Sequence, residues 1–147
     1  MNTIDTNQLL ARAEKLCQHR GVRMTPARKE VFTLLSEHQG AIGAYDLLEQ
    51  LKEVVPNAKP PTIYRALDFL QAQGFVHKIT LSNSYVLCSH FEQQHPVQML
   101  IYRKCGSVQE IHSDGVHEKF LSQANAQGFH VERQTVEALG ICADCVA

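Results

Sequence analysis

The sequence predicts an α+β protein, a winged helix-turn-helix domain followed by a small α/β domain. Three observations predict it. Four helical stretches run directly into two short strand-like segments, which is the element order of a winged helix. A polar, irregular stretch, Ser89 to Pro96 (SHFEQQHP), then breaks the apolar patterning. Beyond it, a few strands and one helix form a unit too small to bury much surface alone.

The first helix is predicted over Gln8 to Arg20, with Leu9, Ala13, Leu16 and Cys17 on one side and Gly21 as its stop. Cys17 falls in that stripe and reads as a small core residue. Thr25-Pro26 pairs an N-cap with proline at the first helical position, so a second helix runs from Pro26 to about Glu37, with Val31, Leu34 and Leu35 inward. A third runs from about Ala44 to Val54, buried through Leu47, Leu48, Leu51 and Val54. The stretch Lys59 to Lys78 (KPPTIYRALDFLQAQGFVHK) holds the fourth. Pro61 suits its first turn, and Ile63, Leu67 and Leu70 recur at i, i+4, i+7 with Ala66 and Phe69 beside them. Thr62, Tyr64, Arg65, Asp68 and Gln71 occupy the other face, and Gly74 ends the helix. Strands follow over Phe75 to Leu81 and Ser84 to Cys88, around Ser82-Asn83. A helix carrying Thr, Tyr and Arg in its first turns, followed by a hairpin, suits a DNA recognition helix and its wing; an ordinary surface helix is the alternative.

After the break, Val97 to Tyr102 and Ser107 to His112 read as strands. Asp114 caps a helix to about Ala126, with Val116, Phe120, Leu121 and Ala124 inward, and Phe129 to Leu139 reads as the last strand. The predicted organisation is 1–88 winged-helix domain, 89–96 hinge and 97–147 dimerisation and metal-binding domain.

Composition narrows the function. The 147 residues are 44% hydrophobic and 20% charged, ordinary for a globular chain, and no apolar run approaches the roughly 20 residues that span a bilayer. The N-terminus lacks a signal peptide's basic and apolar regions, so the expectation is a soluble cytoplasmic protein with no membrane partner. Five cysteines, an odd number, suit reduced thiols or metal ligands better than a fully paired framework. Residues 1–79 carry ten Lys/Arg and eight Asp/Glu, whereas residues 80–147 carry four and seven. That asymmetry suits a DNA-facing first half. Four of the five cysteines and five of the eight histidines lie after residue 80, so ligand chemistry is concentrated in the second half. Cys142-Ala-Asp-Cys145 is a C-x-x-C, and Cys105-Gly106 looks like half of a second one. Enzymatic motifs are missing: there is no H-E-x-x-H and no glycine-rich phosphate loop, and His117-Glu118 lacks a second histidine. The expectation is that the chain is not an enzyme.

The segments RMTPARKEV, AYDLLEQL, KPPTIYRALDFLQAQGFVHK, NSYVLC, KCG and the terminal CADC together resemble the ferric uptake regulator family over nearly the whole chain, and AYDLL, PPTIYRALDFL and GFVHK look like its zinc-sensing branch. The resemblance implies a homodimeric repressor, one or two dimers on palindromic double-stranded DNA, controlling zinc uptake genes. Its alternative within the family is a repressor responding to iron, manganese or peroxide. By position, Tyr45 and Arg65 match residues the family uses near bases. Thr62 and Tyr64 are candidates for phosphate oxygens, and Lys59 and Arg23 add charge along the backbone. Partial core packing with a solvated hydroxyl is the alternative for the two tyrosines. His77, Cys88, His95 and Glu110 match the family's regulatory metal site, with His90 a rival to His95. A mixed N/S/O set of this kind suits tetrahedral zinc. A second, structural zinc is expected at Cys105, Cys142 and Cys145. That site is incomplete, because Tyr102 stands where the family has its first cysteine. Water, a histidine (His90, His112 or His117) or a partner-chain group are the open choices for the fourth ligand, and an empty site with a looser tail is the alternative. Otherwise His112, His117 and His130 read as surface residues.

Overall fold

The computed structural model describes residues 5–38, 40–88, 90–92 and 96–146, and the chain divides into two compact units, Met1–Gln93 and Gln94–Ala147. The division falls inside the polar stretch 89–96.

In the first unit, α1 (Thr6–Arg20) starts where the Asp5 carboxylate accepts the Asn7 N–H at 3.1 Å, and it buries Leu9, Ala13 and Cys17. Helix α2 (Pro26–Glu37) starts at Thr25, whose hydroxyl accepts the Arg28 N–H at 3.4 Å. Its buried residues are Val31, Phe32 and Leu35, so the inward face is rotated from the predicted one, with Leu34 at the core's margin. A two-residue strand, β1 (Ile42–Gly43), precedes α3 (Ala44–Leu51). The third helix stops three residues short of its predicted end, and Val54, expected inside, is 58% exposed. After Leu51 the Glu53 and Val54 N–H groups return to the Gln50 and Leu51 carbonyls, at 3.2 and 3.1 Å, so the backbone tightens out of the α-helical period and Val54 no longer continues the face of Leu47 and Leu51.

Helix α4 (Pro60–Ala72) buries Ile63, Ala66, Leu67 and Leu70, the predicted stripe, with Phe69 packed against it. Strands β2 (Val76–Ile79) and β3 (Ser84–Leu87) form the hairpin, β2 shorter than predicted at both ends and β3 only at its last residue, and β1 pairs with β3 to give the antiparallel order β1-β3-β2. Four helices and this sheet are a winged helix-turn-helix with one extra helix in front. Phe32, Phe75 and Phe91 meet edge to face, with centroid separations of 5.0, 6.0 and 6.1 Å. Phe91 thereby brings the segment after Cys88 back onto the core.

In the second unit, β4 (Val97–Tyr102) lies between β5 (Val108–Glu110), antiparallel to it, and β6 (Thr135–Gly140), parallel to it. The parallel pairing requires a crossover, which α5 (Asp114–Ala126) supplies. A short α6 (Ala143–Val146) follows. The last strand begins at Thr135 instead of Phe129, which is 63% exposed. The inward face expected for α5 is not covered. No residue of that helix is buried, Val116 and Phe120 are 45% and 55% exposed, and Leu121 and Ala124 are half-buried. Among the described residues of this unit only Gln98, Met99 and Ile101 are buried. One helix on a three-stranded sheet leaves its apolar stripe wanting a cover. Among the described residues, no helix is long and apolar enough to cross a membrane.

Candidate metal centres and nucleic-acid interface

The recognition-type face is built on α3 and α4. Pro60 and Pro61 open α4, and the Lys59 N–H donates to the Thr62 hydroxyl at 3.2 Å, so Thr62 secures the helix start while remaining half-buried. One turn on, Tyr64 and Arg65 are exposed because Ile63, Ala66 and Leu67 take the inward positions. Tyr45, in the first turn of α3, is 73% exposed, and Tyr64 is 48% exposed. Tyr45 therefore stands clear of the core, whereas about half of the Tyr64 surface remains covered. Lys59 and Arg23 are exposed as well.

The wing carries two side chains with donor atoms that could hold a metal ion. His77 lies on β2 opposite Val86, and Cys88 follows directly after β3, its N–H bonded to the Phe75 carbonyl at 2.8 Å. That pairing places the His77 and Cys88 ligand atoms within 4.8 Å of each other, with Cys88 buried and His77 half-buried. The Cys88 sulfur also accepts the His90 N–H at 3.4 Å, a polarity that suits a thiolate. The His90 side chain itself is exposed. Glu110 is half-buried at the end of β5, opposite Met99. His95 lies outside the described residues.

The second centre lies within the second unit. The Arg103 N–H donates to the Gly140 carbonyl at 2.8 Å, which ties the end of β4 to the end of β6. Gly106, at φ +73°, lets its N–H return to the Tyr102 carbonyl at 2.8 Å and closes a tight turn around Cys105. On the other side the Cys145 and Val146 N–H groups return to the Cys142 carbonyl at 3.0 and 3.2 Å. The two turns bring Cys105 within 3.4 Å of Cys142 and 3.6 Å of Cys145, sulfur to sulfur. As free thiols these share protons. Hydrogen bonds with Cys145 and Cys105 push the Cys142 thiol down, and those with Cys142 and Cys105 push Cys145 up to about 11. The Tyr102 hydroxyl, by contrast, donates to the Gln109 side-chain carbonyl at 2.8 Å, across the sheet. His112 and His130 are exposed, and the His117 ring meets the Gln134 side chain at 3.0 Å. Among the described residues, no other His, Cys, Asp or Glu joins the three sulfurs.

The sequence model of the ferric uptake regulator family matches residues 19–139. The chain belongs to that family. It is 51% identical over 147 residues to the zinc uptake regulation protein of Escherichia coli (strain K12), a match covering 99% of this chain and 86% of that protein. A solved zinc uptake regulator complexed with zinc and DNA superposes with a TM-score of 0.92 at 52% identity, covering 96% of this chain and 95% of the other. The crystal structure of holo XcZur gives a TM-score of 0.86 at 40% identity, over 95% of this chain and 98% of that one. Sequence reasoning named the three sulfurs that the structure brings together. It missed the bond that turns the Tyr102 hydroxyl away, which no residue spacing announces.

Proposed function

We propose that this ferric uptake regulator family member is a zinc-responsive transcriptional repressor that binds palindromic DNA as a homodimer when zinc-loaded and controls zinc uptake genes. The observation that carries the reading is the position of His77 and Cys88 on the wing, which continues directly from the recognition helix. An ion held there acts on the element that touches DNA. His77, Cys88, His95 and Glu110 are the regulatory ligands in this reading. Bound zinc supplies a fixed tetrahedral junction, and a thiolate in the set favours zinc over harder, redox-active ions. The residues 1–88 bind DNA, 89–96 act as hinge and 97–147 dimerise.

Arg65 donates to a guanine edge, Tyr45 touches a thymine methyl or base edge, and Thr62, Tyr64, Lys59 and Arg23 engage the phosphate backbone. Dimerisation is supported by the uncovered stripe of α5 and by a hollow of about 330 Å³ on the second unit lined by Leu100, Ile101 and Leu139. The role is regulatory, not catalytic, and cytoplasmic. Operator binding across buffered free zinc tests the proposal. Binding should rise steeply with zinc in the wild type and lose that rise in Cys88→Ser. A full zinc response in Cys88→Ser would remove the wing site, and binding indifferent to zinc in the wild type would overturn the reading.

A further inference from the structure

The three-sulfur centre of the second unit differs from a closed structural zinc site. Closed sites hold zinc through four protein ligands, whereas sites with three protein ligands keep one position for an exchangeable group. Here three sulfurs converge and Tyr102 stands at the fourth corner of the pattern. Its hydroxyl is committed to Gln109 at 2.8 Å. The Lys104 ammonium near the centre approaches the Cys145 carbonyl at 3.5 Å and, as a cation, is no ligand. Cys105 is exposed, and Cys142 and Cys145 are half-exposed. Solvent therefore reaches the cluster.

The sulfurs fit zinc. Tetrahedral zinc with Zn–S bonds near 2.3 Å separates its sulfurs by about 3.8 Å. Cys105 already stands 3.4 Å from Cys142 and 3.6 Å from Cys145, so the thiols need only spread by a few tenths of an ångström. We infer that Cys105, Cys142 and Cys145 hold zinc through three thiolates with the fourth coordination position open to solvent, so that the ion exchanges and accepts a small monodentate thiol as its fourth ligand. This rests on the reading of the chain as a zinc-dependent regulator. The open position does not make the centre hydrolytic. Three thiolates leave the zinc site with a net negative charge, which quenches the Lewis acidity that a site with neutral ligands gives to bound water.

The test uses full-length protein carrying Cys88→Ser, so that tightly held zinc reports this centre, with metal content and zinc X-ray absorption as readouts. The expected result is one zinc per protomer with three sulfur neighbours and one oxygen or nitrogen, becoming four sulfurs on addition of 2-mercaptoethanol. Tyr102→Cys in the same background should show four sulfurs without added thiol. It should also release zinc to a chromogenic chelator more slowly, by at least about tenfold, because even groups behind the ligands shift metal affinity about 10–100-fold. Four sulfurs before thiol addition in the Tyr102 protein, equal release rates, or protein without zinc would each overturn the inference. Cys145→Ser with Cys88 intact gives a second count and should hold one zinc fewer than the wild type. A wild type with zinc-indifferent operator binding but an intact three-sulfur spectrum would sink the regulatory reading alone.

Discussion

In the proposed reading, Arg65 is the residue that carries sequence specificity most directly. Its side chain is exposed on α4, one turn from the helix start, where the N-terminal part of a recognition helix meets base edges. A guanidinium can donate two parallel hydrogen bonds to guanine O6 and N7, worth about 1–3 kcal/mol of discrimination. Arg65→Ala should therefore narrow the gap between operator and mutated operator by that amount while the dimer persists. Competition binding with single-base operator variants, alongside sedimentation, checks both halves. Lys59 and Arg23 differ in kind. Contacts to phosphate do not read sequence, so Lys59→Ala should weaken operator and random DNA alike and flatten the salt dependence. The thiols also separate at this scale. Cys17 and Cys88 are buried, and desolvation chiefly pushes the Cys17 thiol up despite nearby Arg20 and Arg28. In zinc-free native protein, Cys105 and Cys142 should react first with a thiol reagent and Cys17 last, with Cys88 also protected. Thiol counting against time reads the order directly.

At the scale of the element, the segment behind Cys88 depends on packing more than on charge. Phe91 is 2% exposed and packs against Phe32 and Phe75, while Arg12 lies over the Phe91 ring, 5.2 Å from its centroid, and pairs with Glu92. Burial of a large aromatic and an exposed ion pair differ several-fold in worth. Phe91→Ala should cost about 3–5 kcal/mol, whereas Glu92→Gln should cost at most about 1 kcal/mol because both partners are more than a third exposed. The hydrogen bond from Arg12 lowers the Glu92 carboxyl from its usual value. A folded-state pKa below the unfolded one makes the contribution present above the unfolded value and lost as pH falls through the folded one. Urea melts of the two variants at neutral and acid pH separate the terms: the Glu92→Gln difference should vanish in acid and the Phe91→Ala difference should remain. The elements that the sequence made legible have explicit boundary chemistry. Thr25-Pro26 and Pro60-Pro61 mark helix starts, and α2, α4, α5 and β4 run close to where they were expected. The two-residue β1 has no periodicity to detect and exists only because β3 offers it partners. Phe32 was hidden because two adjacent apolar faces of α2 compete, and the aromatic trio that selects one of them includes Phe91, far along the chain. The Val116 and Phe120 stripe was legible as apolar, but no single chain covers it. The C-x-x-C announced its sulfurs, whereas His77 and Cys88 become neighbours only through the hairpin register.

For the whole molecule, zinc and DNA are two ligands of one equilibrium. If zinc tightens operator binding by some factor, operator must tighten zinc by the same factor, and couplings between sites are typically about 1–3 kcal/mol, or about 5–150-fold. Zinc shifts the protein toward its DNA-binding state only through a preference for that state, however tightly it binds. Acid acts in the opposite direction. Cysteine and histidine must lose their protons to ligate, so zinc binding releases protons and weakens as pH falls. The protein should thus respond to zinc at a higher free concentration in mildly acidic buffer, with the coupling factor itself much less changed, since the same ligands are protonated whether or not DNA is bound. Zinc affinity measured with and without operator, and operator affinity measured with and without zinc, close the thermodynamic square at each pH. Equal factors in the two directions mean that wing occupancy and DNA binding are the only linked steps. Unequal apparent factors that converge at high protein concentration mean that dimerisation is a third linked step, as expected if the uncovered face of α5 is buried only in the dimer.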